Sequence, residues 1–244
     1  MIQSMHFPDI QTLGTDGLLV RFGDSLSEPA NRAALAFGAA LKRDLPEGVD
    51  EIATSLVSVF VRFDVRHLRH ADLRSDLAKR LKAQDWFAAE MPVGRRLITI
   101  PTVYGGTYGP QLAKAAEMAG LSEDAAIKEL SAAHLRITAV GFAPGQPYLG
   151  FLPDHWDIPR NAELAPVPTG AVVAAVRQIV LFSVDSPTGW SHVGQTAFRA
   201  FQPDHPDPFR LRPGDEIRFT SVTPEEYEAL KSAPDGGATW GQVE

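Results

Sequence analysis

Apolar and polar positions along this chain follow two different periods, and the change between them divides it. Gly17 to Phe22 (GLLVRF) has the make-up of a short strand. Ser27 then stands where it can cap a helix, with Pro29 in the first turn. Ala30, Ala33, Ala34, Phe37 and Leu41 give that helix one apolar face, and Gly48 ends the segment. In residues 55–63 (SLVSVFVRF), Val57, Val59, Val61 and Phe63 alternate with Ser58, Phe60 and Arg62, the period of a half-buried strand. Leu73, Leu77 and Leu81 recur at every fourth residue and predict a second helix, before residues 95–104 (RRLITIPTVY) return to strand.

Helices are predicted at 110–119 and 123–132, separated by Gly120, with Ser122 as cap and Glu123 and Asp124 at the positive end of the second helix dipole. After His134 the pattern shortens. LRITAVGF (135–142), AVVAAV (171–176), IVLFSV (179–184), HVGQTAFRAF (192–201) and DEIRFTSV (215–222) alternate with Pro- and Gly-containing turns. Strands this short and dense point to a sandwich or barrel. RPGD (212–215) reads as a turn, Thr223, Pro224 and Glu226 have capping-box spacing, and the tail beyond Ala233 is expected to fray. The first hundred residues thus read as an alternating β/α unit, and the part beyond His134 as a sandwich or barrel.

Composition narrows the function. The chain has 244 residues, of which 44% are hydrophobic, enough for a proper core. A formal charge of −7 argues against nucleic acid as partner, because phosphate binding needs concentrated Lys and Arg. The absence of cysteine removes disulfides, thiolate metal sites and Cys nucleophiles, and fits a reducing cytoplasm. Met1 to Gln11 has no basic region followed by an apolar run, and no segment reaches the roughly 20 apolar residues of a membrane helix, so a cytoplasmic protein is expected.

The most unusual segment is GFAPGQPYLGFLP, residues 141–153, with three glycines and three prolines among aromatic and aliphatic residues. Prolines fix φ and glycines permit close backbone approach, so the aromatic groups are held in set directions. Such a loop either lines a pocket or makes a structural crossover. SPTGW, Ser186 to Trp190, presents a large aromatic either to a cleft or to the barrel wall. Other candidates carry less. His67 and His70 form H-x-x-H, but Arg66, Arg69 and Arg74 surround them, a poor setting for a metal. Gly105, Gly106 and Gly109 precede a helix without the Lys-Ser/Thr of a P-loop, leaving anion binding at the helix start as an option. Asp204 to Asp207 (DHPD) reads as a solvated loop.

Taken in order, these motifs resemble a known family. GFAPGQPYLGFLP is similar to its GFxPGFxYLxGLP, PVPTGAVVAAV to xVPAGSVaIaG, SPTGW to SPGGW, HVGQT to xIGRT and RPGDEIRF to xxGDxVrF. Upstream, IPTVYGGTYGPQL matches IPVxYGGexGPDL, so order and spacing are kept from about Ile100 to the end. The chain is thereby identified as a member of the family that holds the B-type subunit of 5-oxoprolinase, KipI and allophanate hydrolase subunit 1 (carboxyltransferase domain, subdomains C and D). The resemblance implies an α+β fold, with a small α/β domain over residues 1–94 followed by a cyclophilin-like β-barrel domain over residues 95–244. It further implies a cleft shared with a homologous C-type barrel subunit, and a TIM-barrel-like A-type subunit completing an ATP-dependent opening of 5-oxoproline to glutamate. ATP is then the cofactor of the assembled complex, with no metal or prosthetic group. It also leaves two other readings: inhibition of a sensor histidine kinase, as in KipI, and a carboxyltransferase role in urea or allophanate metabolism.

On this resemblance the substrate-binding residues are Gly141, Phe142, Pro144, Gly145, Tyr148, Arg160, Gln178, Ser186 and Trp190, with no residue assigned as catalytic acid or base. Arg160 is expected to hold a substrate carboxylate, Gln178 its amide, and the loop from Gly141 to Leu149 the wall. Several positions depart from the family pattern. Leu130 stands where a His is usual, and VRQIVLFS (176–183) replaces the glycine-rich GGQTGIYP. Gln146 replaces Phe, Thr188 replaces Gly and Gln195 replaces Arg, while Pro159–Arg160 is retained.

Overall fold

The computed structural model describes residues 6–243. By contact density the chain divides into two compact units between Val93 and Gly94. In the first, strands β1 (Asp9–Thr12), β2 (Gly17–Arg21), β3 (Val49–Ser55) and β4 (Ser58–Phe63) form an antiparallel sheet in the order β1-β2-β4-β3. Helices α1 (Glu28–Arg43) and α2 (His70–Lys82) bury their apolar faces with the sheet's Leu18, Val20, Val59 and Val61. Phe37 meets Trp86 edge-on at 5.0 Å, closing that core.

The single strand expected over 55–63 is instead the end of one hairpin arm and the whole of the next. The chain turns at Leu56, which has φ 52°, and the Ser58 hydroxyl donates to the Ser55 carbonyl. Alternation continues unbroken through such a tight turn, so periodicity alone could not find it.

The second unit carries the larger core. Strands β5 (Arg96–Tyr104), β6 (Leu135–Val140), β7 (Pro147–Gly150), β9 (Ala171–Ala175), β10 (Gln178–Leu181), β12 (Ser191–Gln195) and β13 (Glu216–Ser221) close into a barrel in the order β12-β9-β10-β7-β6-β13-β5. β12 completes the ring by pairing with β5 through Gly194↔Tyr104 and Gln195↔Val103. Only β13 and β5 run parallel, with Glu216 opposite Leu97. Alternate residues separate two clusters. Val172, Ala174, Ile179, Leu181 and Leu149 fill the interior with Ile98, Ile100 and Phe219, while Val173, Ala175, Val180 and Phe182 face outward with Trp190. A two-stranded ribbon, β8 (Ala165–Val167) with β11 (Ser186–Thr188), contributes Val167 to the outward cluster. Helices α3 (Leu112–Met118) and α4 (Glu123–Ala132) pack Leu112, Ala115, Ala126 and Leu130 on the interior cluster.

Three further expectations change. The tail does not fray up to residue 243: β14 (Thr239–Gln242) pairs with the start of β5, and Trp240 lies against the guanidinium groups of Arg96 (5.1 Å) and Arg210 (5.0 Å). The run 192–201 is strand only to Gln195, with one isolated bridge from Phe201 to Phe209. Part of the loop 141–153 is strand β7. α5 (Pro224–Leu230) begins with the expected capping box between Thr223 and Glu226. Among the described residues, no helix is long and apolar enough to cross a membrane.

Candidate functional site

The outward cluster does not close on itself. Between β7, β10, the ribbon and the loop at 160–164 it leaves a cleft of 280 Å³ lined by Phe142, Gln146, Tyr148, Arg160, Asn161, Leu164, Val180, Phe182 and Pro187 to Trp190. Alternation in β10 turns Val180 and Phe182 to this side, and Tyr148 stands opposite Val180 in the register of β7. Tyr148 meets Trp190 edge-on with centroids 6.3 Å apart. The turn carrying Trp190 is fixed from two sides. The Thr188 hydroxyl accepts from the Trp190 amide at 3.1 Å, and the Gly189 carbonyl accepts from the Asn161 backbone (2.6 Å) and side chain (3.2 Å). Gly189 is required there, since a Cβ would lie 2.6 Å from the Asn161 carbonyl. Lys114 donates to Asn161 Oδ1 at 3.1 Å and anchors the other end of that side chain.

Arg160 is the cleft's one charged lining residue. Its guanidinium lies over the Trp190 ring at 5.0 Å, and among the described residues no carboxylate pairs with it. An arginine held flat on an indole keeps its donor fork free for a planar anion. Gln146 is fully buried: its Oε1 accepts from the Ser183 amide at 3.4 Å, and its Nε2 has no partner. The lining holds no carboxylate, imidazole or ammonium group. The cleft can therefore orient an anionic ligand, and the Tyr148 phenol is the lining group that could pass a proton.

Of the nine residues expected at the site, four line this cleft: Phe142, Tyr148, Arg160 and Trp190. Gly141, Pro144 and Gly145 shape the loop without lining it. Gly145 has φ 68° and packs on the neighbouring chain segment, where a Cβ would sit 2.8 Å from the Ala200 carbonyl. Gln178 is displaced from its expected place. It pairs with Ala175 beside the hairpin turn, two residues along the strand from Val180. Ser186 also falls outside, opposite Val167 in the ribbon, in a shallow groove with Pro166, Pro168 and Asp185. Asn161, Val180 and Phe182 were missed. The last two share the parity of Gln178 along β10, and Asn161 directly follows the retained Pro159–Arg160, so a signal for each was present.

The departures from the family pattern separate by position. Leu130 is fully buried in the interior core, so that substitution lies away from the cleft. Val176 and Arg177 occupy the β9–β10 turn at φ 44° and 61°, on the side where Arg177 pairs with Asp154 at 2.8 Å. Val180 and Gln146 do stand in the cleft wall. The two histidines of H-x-x-H are held separately: His67 bonds to Asp64 (3.0 Å), and His70 to the Thr15 carbonyl (2.7 Å). Gly109 lies where a Cβ would be 2.1 Å from the Val193 carbonyl, which accounts for the glycine turn by close packing on β12.

Residues 8–211 match the carboxyltransferase domain, subdomain C and D. The chain belongs to this family. The B-type subunit of 5-oxoprolinase from Bacillus subtilis (strain 168) is 29% identical over 233 residues, covering 91% of this chain and 96% of that protein. The crystal structure of TTHA0988 superposes with a TM-score of 0.71 at 31% identity, over 86% of this chain and 40% of that one. The Kluyveromyces lactis urea amidolyase matches over 96% of this chain and 16% of its own, with a TM-score of 0.71 at 18% identity, and so shares the fold. The carboxyltransferase C and D fold thus accounts for both units of the chain, and in two of these relatives it forms a minor part of a longer polypeptide.

Proposed function

We propose that this chain is the B-type subunit of an ATP-dependent, 5-oxoprolinase-like complex, and that the cleft beside Trp190 is its contribution to a substrate site shared with a homologous barrel subunit. The observation that carries the reading is Arg160, stacked on Trp190 with its fork unclaimed in a cleft otherwise without charge. A small cyclic amide with a carboxylate, such as 5-oxoproline, suits such a wall: the carboxylate on Arg160, and the lactam carbonyl on the unpartnered Nε2 of Gln146. Gln146 takes over the amide role expected of Gln178, which lies outside the lining.

The lack of a carboxylate, imidazole or ammonium group in the cleft fits a subunit active only in complex. So does the occurrence of the fold as 40% and 16% of longer chains. The near full-length alignment with a protein named as a 5-oxoprolinase component favours this substrate class over the kinase-binding reading. ATP would be bound and hydrolysed by the complex, with a TIM-barrel-like subunit completing it.

The test is kinetic. The complex is purified from the native host through this chain and assayed for ATP-dependent glutamate formation from 5-oxoproline. Losing a charge-assisted contact of this kind raises the Michaelis constant by about ten- to a hundredfold, so Arg160→Ala is expected to do so with lesser change in kcat. An unchanged Michaelis constant would remove Arg160 from the substrate site, and a complex without 5-oxoproline turnover would overturn the assignment.

A further inference from the structure

Gln146 differs from the other residues that line the cleft: it is fully buried, yet one end of its side chain has no hydrogen-bond partner. The loop that carries it is closed by two backbone bonds. The Gln146 amide donates to the Ala143 carbonyl at 3.1 Å, and the Gln146 carbonyl accepts from the Gly141 amide at 3.0 Å. Pro147 follows directly and starts β7. The side-chain amide is oriented by Ser183, whose backbone N–H donates to Oε1 at 3.4 Å. Reversing the amide would set Nε2 against that N–H, donor against donor. Nε2 is therefore the end left over, with two N–H groups and no acceptor among the described residues. A buried donor without an acceptor favours an occupant that supplies one.

The acceptors of the lining are in a different state. Asn161 Oδ1 accepts from Lys114 (3.1 Å), Thr188 Oγ1 from the Trp190 amide (3.1 Å), and Gln146 Oε1 from the Ser183 amide. A ring carbonyl oxygen thus meets a free donor, whereas a ring N–H, the Tyr148 phenol apart, meets side-chain oxygens already engaged. Ser183 acts here through its backbone, and proline is the residue that lacks this N–H. Proline there would leave Oε1 without its donor and let the amide reverse, presenting an acceptor to the cleft instead. The family pattern has Phe at 146 and Pro at 183, so this chain departs at both positions that the bond joins.

We propose that Gln146, positioned by the Ser183 amide, is the specificity residue of this cleft and selects small cyclic carboxylates by a ring carbonyl oxygen, with or without a neighbouring N–H. The inference rests on the reading of the cleft as a substrate site, and assigns its selectivity to one atom of the ligand and one pair of residues.

The experiment measures binding by calorimetry to the complex purified through this chain, without ATP. Three rings are compared: 5-oxoproline, 3-oxocyclopentanecarboxylate, which keeps the carbonyl and loses the N–H, and cyclopentanecarboxylate, which loses both. The first two are expected to bind alike, and the third about tenfold or more weaker. Gln146→Leu is expected to abolish that preference. Ser183→Pro should abolish it as well, with Ser183→Ala, which keeps the amide, recovering it; where Ser183→Pro does not fold, Gln146→Leu decides. Equal binding of the two carbocycles would mean that Nε2 is satisfied without the ligand, as by a bound water, and would overturn the proposal. So would a preference that survives Gln146→Leu, or a tenfold preference for 5-oxoproline over 3-oxocyclopentanecarboxylate. In each of these cases, weakening of all three rings by Arg160→Ala keeps the cleft as a substrate site. Binding of none of them, or binding indifferent to Arg160→Ala, would overturn that reading and the proposal together.

Discussion

Asp215 offers a direct test of how the barrel is held together. Its side chain is 6% exposed and ties the start of β5 to the start of β13, 119 residues apart in sequence. Oδ1 accepts from the Arg96 backbone (3.2 Å) and Nε (3.1 Å), while Oδ2 accepts from the Arg212 backbone (3.0 Å) and from Arg96 Nη2. Asp215→Asn keeps the shape but has only one oxygen. Whichever way the amide points, its NH2 faces two donors. Each hydrogen bond to a charged group contributes about 1.5–3 kcal/mol. The Arg96 side chain is 26% exposed, so water partly compensates its charge, and the sum is discounted to about 2–4 kcal/mol. Arg96 itself stays in place, since it also donates to the Arg210 carbonyl (3.0 Å) and stacks on Trp240. The assay is urea unfolding followed by tryptophan emission in a Trp86→Phe background. The remaining tryptophans, Trp156, Trp190 and Trp240, then report the barrel unit alone. A loss below about 1 kcal/mol would refute the view that this buried pair fixes the parallel register.

Single residues supply three more tests. Gly109→Ala forces a Cβ to within 2.1 Å of the Val193 carbonyl and is expected to cost about 2–4 kcal/mol in the same assay, as overpacking against backbone does. Thr223→Ala removes the side-chain half of the α5 capping box and should cost about 1 kcal/mol, with glycine at that position recovering part of it. Burial pushes the His192 imidazole below its ordinary 6.5, outweighing hydrogen bonds to Gly194 and Gln195 that pull it up. The unfolded chain therefore takes up this proton first, so the stability linked to His192 is present above about pH 6.5 and is lost as pH falls from there toward the folded value. Subtracting the pH profile of His192→Gln from that of the wild type should leave a slope of that sign, no steeper than about 1.4 kcal/mol per pH unit.

What could be read in the sequence follows the range of the interactions involved. Helix α4, its Ser122 cap and the α5 capping box depend on residues three or four apart, and they lie where spacing predicts them. The barrel strands were legible as short apolar runs between Pro- and Gly-containing turns, but β9 and β10 are buried on both faces, so their two clusters could not be told apart in sequence. RPGD was legible only as a turn, since the partner that gives Asp215 its role is Arg96, on the neighbouring strand but 119 residues away in sequence. β14 was missed for the same reason: Thr239 to Gln242 form a weak strand on their own, and pairing with β5 together with two guanidinium groups on Trp240 supplies the rest. At the cleft, Tyr148 and Trp190 stood out as aromatic residues in glycine- and proline-rich segments, whereas Arg160 was reached only through the family resemblance. Gln178 does not line this cleft, because strand parity gives its face but not its distance along the strand from Val180.

The substitutions in the cleft bear on chemistry more than their number suggests. Position 180 is a glycine in the family pattern, and here a valine side chain occupies the wall opposite Tyr148. It takes space that a ligand could otherwise use against bare backbone. Gln146, where the pattern has Phe, moves the wall the other way, adding a buried amide donor to an aromatic surface. Under the proposed function, such a wall would favour a compact ligand with a carbonyl, because a wholly apolar one would leave Gln146 Nε2 unpaired. Leu130 points into the barrel core and takes no part in this change. Under the proposed function, the departures that would alter ligand selection are therefore those at Val180 and Gln146.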